Sequence, residues 1–222
     1  MAELHRSLDV GASVDLVMTA NGGDREGVDA RRPGDVVVGA GFDVVSLSPG
    51  AGRLVSLGAR RARTLPDTVG PDMRLLVCGL NPSIYAADAG VAFARPGNRF
   101  WPAARAAGLV SADRDPFHAL RVHGVGLTDL VKRATVGAGE LTTAEYRHGL
   151  ARVERLCAWL RPAVVCFVGL AGWRAVANRT AHAGLQPDAL GDVPVYLMPS
   201  TSGRNAHTSL DELTYHLCAA ER

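Results

Sequence analysis

Two polar turns, each directly behind an apolar run, hold the residue types in this chain that could do chemistry. The first follows Leu75-Leu76-Val77-Cys78 and reads Gly79-Leu80-Asn81-Pro82-Ser83. Pro82 has a fixed φ and no N–H, and it biases Asn81 toward an extended conformation, so the Asn81 amide is held at the tip of the strand. An amide does not remove a proton at neutral pH, but it can hold and orient a hydrogen-bonding partner. The second turn follows the apolar run Val193–Met198 and reads Pro199-Ser200-Thr201-Ser202-Gly203-Arg204-Asn205. Turns that follow buried strands of a parallel sheet lie on its carboxyl edge, where α/β proteins place their ligands. Both turns then face one site, built from residues far apart in sequence.

The elements that must position these turns can be read from periodicity. Leu75–Cys78, Ala163–Val168 and Val193–Met198 are short apolar runs and read as buried strands. Gly124–Val131 reads as a glycine-punctuated turn or a short strand. Between them the pattern predicts helices over Arg99 to about Ala107, Pro116–Val122, Thr142–Leu160 and Gly172–Asn178, with a last helix starting near Thr208. Thr142 with Glu145 fits a capping box, and Tyr146, Leu150, Val153, Cys157 and Leu160 recur on one face. Strands alternating with helices predict a mainly parallel sheet covered on both faces.

Composition excludes more than it selects. The chain has 222 residues, 47% of them hydrophobic, and a formal net charge of +2. No apolar run approaches the roughly 20 residues needed to cross a bilayer, and MAELHRSLDV lacks the apolar core of a signal peptide. A cytoplasmic protein is expected. No overall basic field announces a nucleic acid, although a local patch suffices to meet phosphates. The four cysteines, Cys78, Cys157, Cys166 and Cys218, form no Cys-x-x-Cys pair and read as buried free thiols.

Residues 1–71 differ from the rest and read as an N-terminal extension, β-rich or partly mobile, ahead of a main domain over 72–222. Asp35–Val38 and Asp43–Leu47 look like short strands. Gly39-Ala40-Gly41-Phe42 faintly suggests a dinucleotide loop, but the third glycine is missing. Arg60-Arg61-Ala62-Arg63 is either a solvated linker or a phosphate-contacting arm, and Pro66–Pro71 reads as a linker.

Four blocks in register carry a family resemblance. Gly79-Leu80-Asn81-Pro82, Phe93 and Pro96-Gly97-Asn98-Arg99-Phe100-Trp101 resemble the mismatch-specific uracil/thymine DNA glycosylases of the uracil-DNA glycosylase superfamily. Gly124–Val131 with Arg133 and Thr135, the helix after Thr142, and Met198–Arg204 agree in order and spacing. The match runs from about Met73 to Leu217. It implies a three-layer α/β/α fold with a short, mainly parallel central sheet.

The resemblance also implies roles. Asn81 matches the water-positioning residue, and Phe93 the aromatic that stacks on a flipped base. Leu80 and Ser83 lie where relatives offer backbone groups to the base, although Ser83 replaces a frequent glycine and its side chain could narrow the pocket. Tyr85 either lines that pocket or covers the loop. Asn98 reads as a helix cap before a base contact. Asp129 departs from the family's Asn or Lys near the base edge. It could accept a hydrogen bond from a base N–H, act on water, or serve only as a solvated or capping residue. Ser200, Thr201, Ser202, Gly203 and Arg204 match the loop that contacts phosphates and wedges the duplex open.

The expected protein is a monofunctional DNA glycosylase of base excision repair, a hydrolase that removes uracil from double-stranded DNA, best opposite guanine. G·T and other damaged bases are further candidate substrates. It would need no metal or organic cofactor, engage no membrane and act as a monomer. The competing readings are a DNA-binding protein that recognises mismatches or flipped bases without cutting, and a nucleotide-binding enzyme with its site at Gly39–Phe42.

Overall fold

The computed structural model describes residues 1–19, 31–71 and 73–221; residues 20–30 of the expected extension lie outside the described residues. The chain opens with α1 (Ala2–Ser7), β1 (Ser13–Thr19), α2 (Arg32–Gly39), β2 (Phe42–Pro49) and β3 (Leu54–Arg61). The strands form an antiparallel sheet in the order β1-β3-β2. Val37, Phe42, Val55, Leu57 and Ala59 make a small core of their own against α2.

Asp35–Val38, expected as a strand, is part of helix α2. Pro33 sits in the first turn, where its missing N–H costs nothing, and Asp35 follows in the same turn. Burial of Val37 on the small sheet then outweighs the β preference of three consecutive valines. The dinucleotide-loop reading fails with it. A helix precedes the Gly-x-Gly, and Gly39 and Gly41 are closed over by the Asp67 carboxyl and the His5 ring.

The second part alternates as expected. It runs β4 (Leu75–Gly79), α3 (Ile84–Ala89), α4 (Phe100–Ala106), α5 (Pro116–His123), β5 (Val125–Asp129), α6 (Thr143–Leu160), β6 (Val165–Val168), α7 (Ala171–Val176), β7 (Gly184–Leu185), β8 (Val195–Met198) and α8 (Leu210–Ala220). The sheet order is β5-β4-β6-β8-β7, parallel except for the antiparallel edge strand β7. One apolar layer joins the sheet to α4, α5 and α8 through Phe100, Trp101, Ala119, Leu213 and Leu217. The other joins it to α6 and α7 through Val153, Leu156, Cys157 and Trp173. The architecture is three-layer α/β/α. Among the described residues no helix is long and apolar enough to cross a membrane.

Two features of this frame were hidden in the sequence. Helix α3 lies inside the stretch read as a long loop, with Ser83 as its cap and Gly90 in the left-handed conformation ending it. The supposed linker Pro66–Pro71 is structural. Thr68 exchanges backbone hydrogen bonds with Leu127, and the Asp67 carboxylate is buried.

Asp67 is the hub of a buried ion cluster. Its oxygens accept from Lys132 Nζ at 2.7 Å, Arg152 Nη1 at 2.8 Å and Thr128 Oγ1 at 2.8 Å. Arg152 Nη2 donates to Thr128 Oγ1 at 2.8 Å and to the Asp129 carbonyl at 2.9 Å. Arg152 lies on the buried face of α6, one residue from Val153. The sheet end therefore rests on paired charges rather than on apolar packing alone. Burial pushes the Asp67 carboxyl up, but the charges and hydrogen bonds of Arg152 and Lys132 more than offset it and hold it below its ordinary value.

Removing one partner of a buried ion cluster strands the others, a loss of about 3–5 kcal/mol. Asp67→Ala should lower folding stability by about that amount in chemical denaturation. Because the folded pKa is depressed, the stabilisation from ionised Asp67 holds above the unfolded pKa and fades as pH falls through the folded one. The wild-type and variant stabilities should therefore converge in acid.

Candidate active site

The carboxyl edge of the parallel sheet opens into a cavity of about 440 Å³. Its wall includes Leu80, Asn81, Ser83, Phe93, Asn98, Asp129, Ser200, Thr201, Ser202 and Arg204. The sequence anticipated two loops. The structure adds two more stretches to the wall, Thr135–Ala138 after β5 and Val168–Ala171, which begins at the last residue of β6.

Asn81 is fixed from behind. Its Nδ2 donates to the Arg133 carbonyl at 2.9 Å, to Thr135 Oγ1 at 2.8 Å and to the Pro82 carbonyl at 3.1 Å. Carbonyl oxygens only accept, so the NH₂ end must face them and the amide orientation is determined by its partners. Asn81 Oδ1 is left as an acceptor with no hydrogen-bond partner among the described residues. The loops that carry these groups are tied together by Thr135 N–H to Pro82 O at 3.1 Å and Ile84 N–H to Thr135 O at 3.2 Å.

The support reaches back to α6. The capping box has Glu145 N–H donating to Thr142 Oγ1 and Thr142 N–H donating to Glu145 Oε2. The same carboxylate accepts from Arg133 Nε at 2.7 Å. The Arg133 guanidinium and the Thr142 N–H hold the Glu145 carboxyl down to about 2. Arg133 is thereby stretched between the helix cap, through its side chain, and the Asn81 amide, through its carbonyl.

Phe93 has φ +57°, a conformation that a bulky residue adopts only when its surroundings force it. One face of its ring stacks on Phe100, with centroids 4.2 Å apart and planes at 26°. The residue is half-buried and lines the cavity. Gly79, at the end of β4, pairs with Asp129 at the end of β5. A Cβ on Gly79 would meet Asp129 Oδ1 at 2.4 Å and Phe93 Cζ at 3.4 Å. Carboxyl and ring edge therefore crowd the same point, and only glycine leaves them room.

Asp129 is 8% exposed. Burial pushes its carboxyl up to about 6, with the nearby Asp67 charge adding to the rise and Lys132 and Arg152 opposing it. Its backbone is held by Arg152, but its carboxyl oxygens have no hydrogen-bond partner among the described residues. The solvated-aspartate reading is thereby corrected, since the side chain is buried at the cavity wall.

The remaining residues divide. Ser83 lines the cavity, but its hydroxyl accepts from Ala86 N–H at 3.1 Å and so is committed to capping α3. Asn98 Oδ1 accepts from Phe100 N–H at 2.9 Å, the capping role expected, while the residue also reaches the cavity wall. Tyr85 is 50% exposed in the first turn of α3 and is not part of that wall. Thr201, expected at the DNA surface with its neighbours, is 1% exposed. Its carbonyl accepts from Arg99 N–H at 2.9 Å, which anchors the loop inward. Ser200 and Ser202 hydroxyls accept from the N–H groups of Ser202 and Arg204. Gly203 packs against the Gly97 backbone, outside the cavity wall, and Arg204 is exposed beside Gly137.

Sequence reading missed Arg99. Its guanidinium donates to the Thr208 and Asn205 carbonyls, strapping the start of α4 to the loop after β8. Its place directly before a helix start was the available signal. Thr135 was noted only as part of a block, and no periodicity marks a hydroxyl that serves another residue's amide.

The cavity thus combines an aromatic ring and an oriented amide at one edge of the sheet. A family model described as the Uracil DNA glycosylase superfamily matches residues 66–218. The chain belongs to that superfamily and is accordingly a DNA glycosylase.

A carboxyl whose folded pKa is raised opposes folding once it must ionise. The cost is absent below the unfolded value, grows as pH rises, and is complete above the folded value of about 6. A displacement from 3.8 to about 6 corresponds to about 3 kcal/mol. Asp129→Asn should therefore stabilise the protein by up to about 3 kcal/mol at pH 8 and by little near pH 4, as read by denaturant titration at both values.

Proposed function

We propose that this glycosylase hydrolyses the N-glycosidic bond of uracil flipped out of duplex DNA, with preference for uracil opposite guanine, and so starts base excision repair. The single observation that carries this reading is the Asn81 amide. Its N–H groups are held by Arg133 O, Thr135 Oγ1 and Pro82 O, and its Oδ1 remains to accept from a water beside the base-sized cavity.

The chemistry follows from that amide. Asn81 orients the water toward C1′ but takes no proton from it, so the rate rests on positioning and on electrostatic stabilisation of the departing base. The free face of Phe93 supports the base, and base–aromatic stacking is typically worth about 1–3 kcal/mol. Arg204, exposed at the rim, fills the gap left by the extruded nucleotide and meets the opposite strand. A mispaired base also costs less to flip, which favours G·U over A·U pairs. Thymine opposite guanine and other damaged bases are secondary substrates.

Lys132 is the chain's single lysine, and its ammonium is spent on Asp67 and the Leu65 carbonyl. It offers no amine for a Schiff base, so the product is an intact abasic site. We also propose a cytoplasmic monomer. One chain supplies the whole cavity wall, and the four cysteines are free, three of them buried, which fits a reducing compartment.

Asn81→Ala should reduce single-turnover excision of uracil from a G·U duplex by about 10²-fold or more while leaving duplex binding in place. Wild-type protein that binds the duplex and never yields alkali-labile sites would instead make it a non-catalytic mismatch reader. Arg204→Ala should cut the preference for G·U over single-stranded uracil by about tenfold, the scale of one charged hydrogen bond. Competition between labelled duplex and single strand measures that ratio.

A further inference from the structure

The cavity wall holds one carboxyl, which the mechanism above leaves unused. The Asp129 carboxyl is buried, has no hydrogen-bond partner among the described residues and lines the same cavity as Phe93, both lying close to the point where a Cβ on Gly79 would stand. A base stacked on the Phe93 ring shares the cavity with this carboxyl and can turn its polar edge toward it. Uracil, thymine and hypoxanthine share one edge pattern, a carbonyl acceptor next to an N–H donor. A neutral carboxylic acid presents the complement, an O–H donor next to a C=O acceptor. A carboxylate presents acceptors alone, so it takes the N–H and repels the carbonyl.

We propose that Asp129 reads this lactam edge in its protonated form, donating O–H to the base carbonyl and accepting from the adjacent N–H. The inference rests on the glycosylase reading above and adds to it a residue that selects the substrate and makes that selection depend on pH.

The surroundings fit a group that changes protonation near neutrality. Asp67, from the segment before β4, disfavours the charge, and burial does so more strongly. Lys132, after β5, and Arg152, on α6, favour it, but both are already spent on Asp67. Cys78 on β4 is a neighbouring thiol that burial keeps protonated. Arg95 and Arg204 lie farther round the cavity wall. A bound base completes the desolvation of Asp129 and supplies an acceptor for its proton, both of which favour the neutral form. Proton uptake should therefore accompany binding at pH values above the free group's transition.

Two measurements test this. The first is single-turnover excision of uracil from a G·U duplex between pH 5 and 9, for wild type and Asp129→Asn. The amide presents the same donor and acceptor at every pH. Wild-type excision should fall about tenfold per pH unit on the alkaline side of the transition. The variant should show a flat profile and exceed wild type by tenfold or more at pH 8. A flat wild-type profile, or a variant that falls in parallel, overturns the proposal.

The second needs neither turnover nor a variant. Binding of a duplex carrying an uncleavable 2′-fluoro deoxyuridine is followed by calorimetry at pH 7.5 in two buffers of different ionisation enthalpy. About one proton should be taken up with that duplex and none with an undamaged one; equal uptake, or none, overturns the proposal. Wild type that excises nothing at any pH removes the glycosylase reading, while the calorimetric result still decides whether Asp129 reads the base edge.

Discussion

The site depends on one constraint, that the loops leaving β4 and β5 are hydrogen-bonded to each other beyond the end of the sheet. A parallel sheet leaves the carboxyl ends of its strands unpaired, and loops departing from them have no intrinsic reason to stay in register. Here the ladder is continued by Thr135 and Ile84 across to Pro82 and Thr135. Asn81 then spends its amide hydrogens on the same neighbouring loop. The cavity thus has a floor fixed by backbone and a single amide oxygen left open. In the mechanism proposed above, a water oriented by such a group needs no reorganisation at the moment of reaction, and that is the advantage that positioning gives an enzyme lacking a strong base at this place.

Much of this was legible in the sequence. The apolar runs ending at Cys78, Val168 and Met198 marked the buried strands, and Thr142 with Glu145 marked the start of α6 to within a residue. Local signals succeeded wherever a single element set the pattern. They failed where partners came from elsewhere. Asp35–Val38 reads as a strand by its valines, and only the small sheet beneath Val37 makes it helical. Arg152 looks like a surface residue on α6 until Asp67 is brought against it.

The site divides the same way. Asn81, Phe93 and Asp129, which the motifs singled out, all reach the cavity wall. Thr201 is a buried loop anchor that also reaches that wall, and Tyr85 is an exposed helical side chain outside it, both decided by packing that sequence spacing does not encode. Thr135 and Arg99 carry weight through a hydroxyl and a guanidinium aimed at other loops, and neither leaves a trace in periodicity.

The seam between the N-terminal sheet and the α/β layers is polar at its centre. Asp67 N–H donates to the Gly39 carbonyl at 2.6 Å, Asp35 takes both arms of the Arg155 guanidinium, and Arg32 lies over the Trp159 ring. An oily seam can loosen by degrees as water seeps in. A seam that shields two cations behind one carboxylate has no cheap halfway state, since drawing one partner away strands the remaining charges unpaired in an interior that solvates them poorly. The antiparallel sheet is thereby keyed into the α/β layers, and the amino-terminal third of the chain buttresses the cavity, to whose wall it adds Leu65.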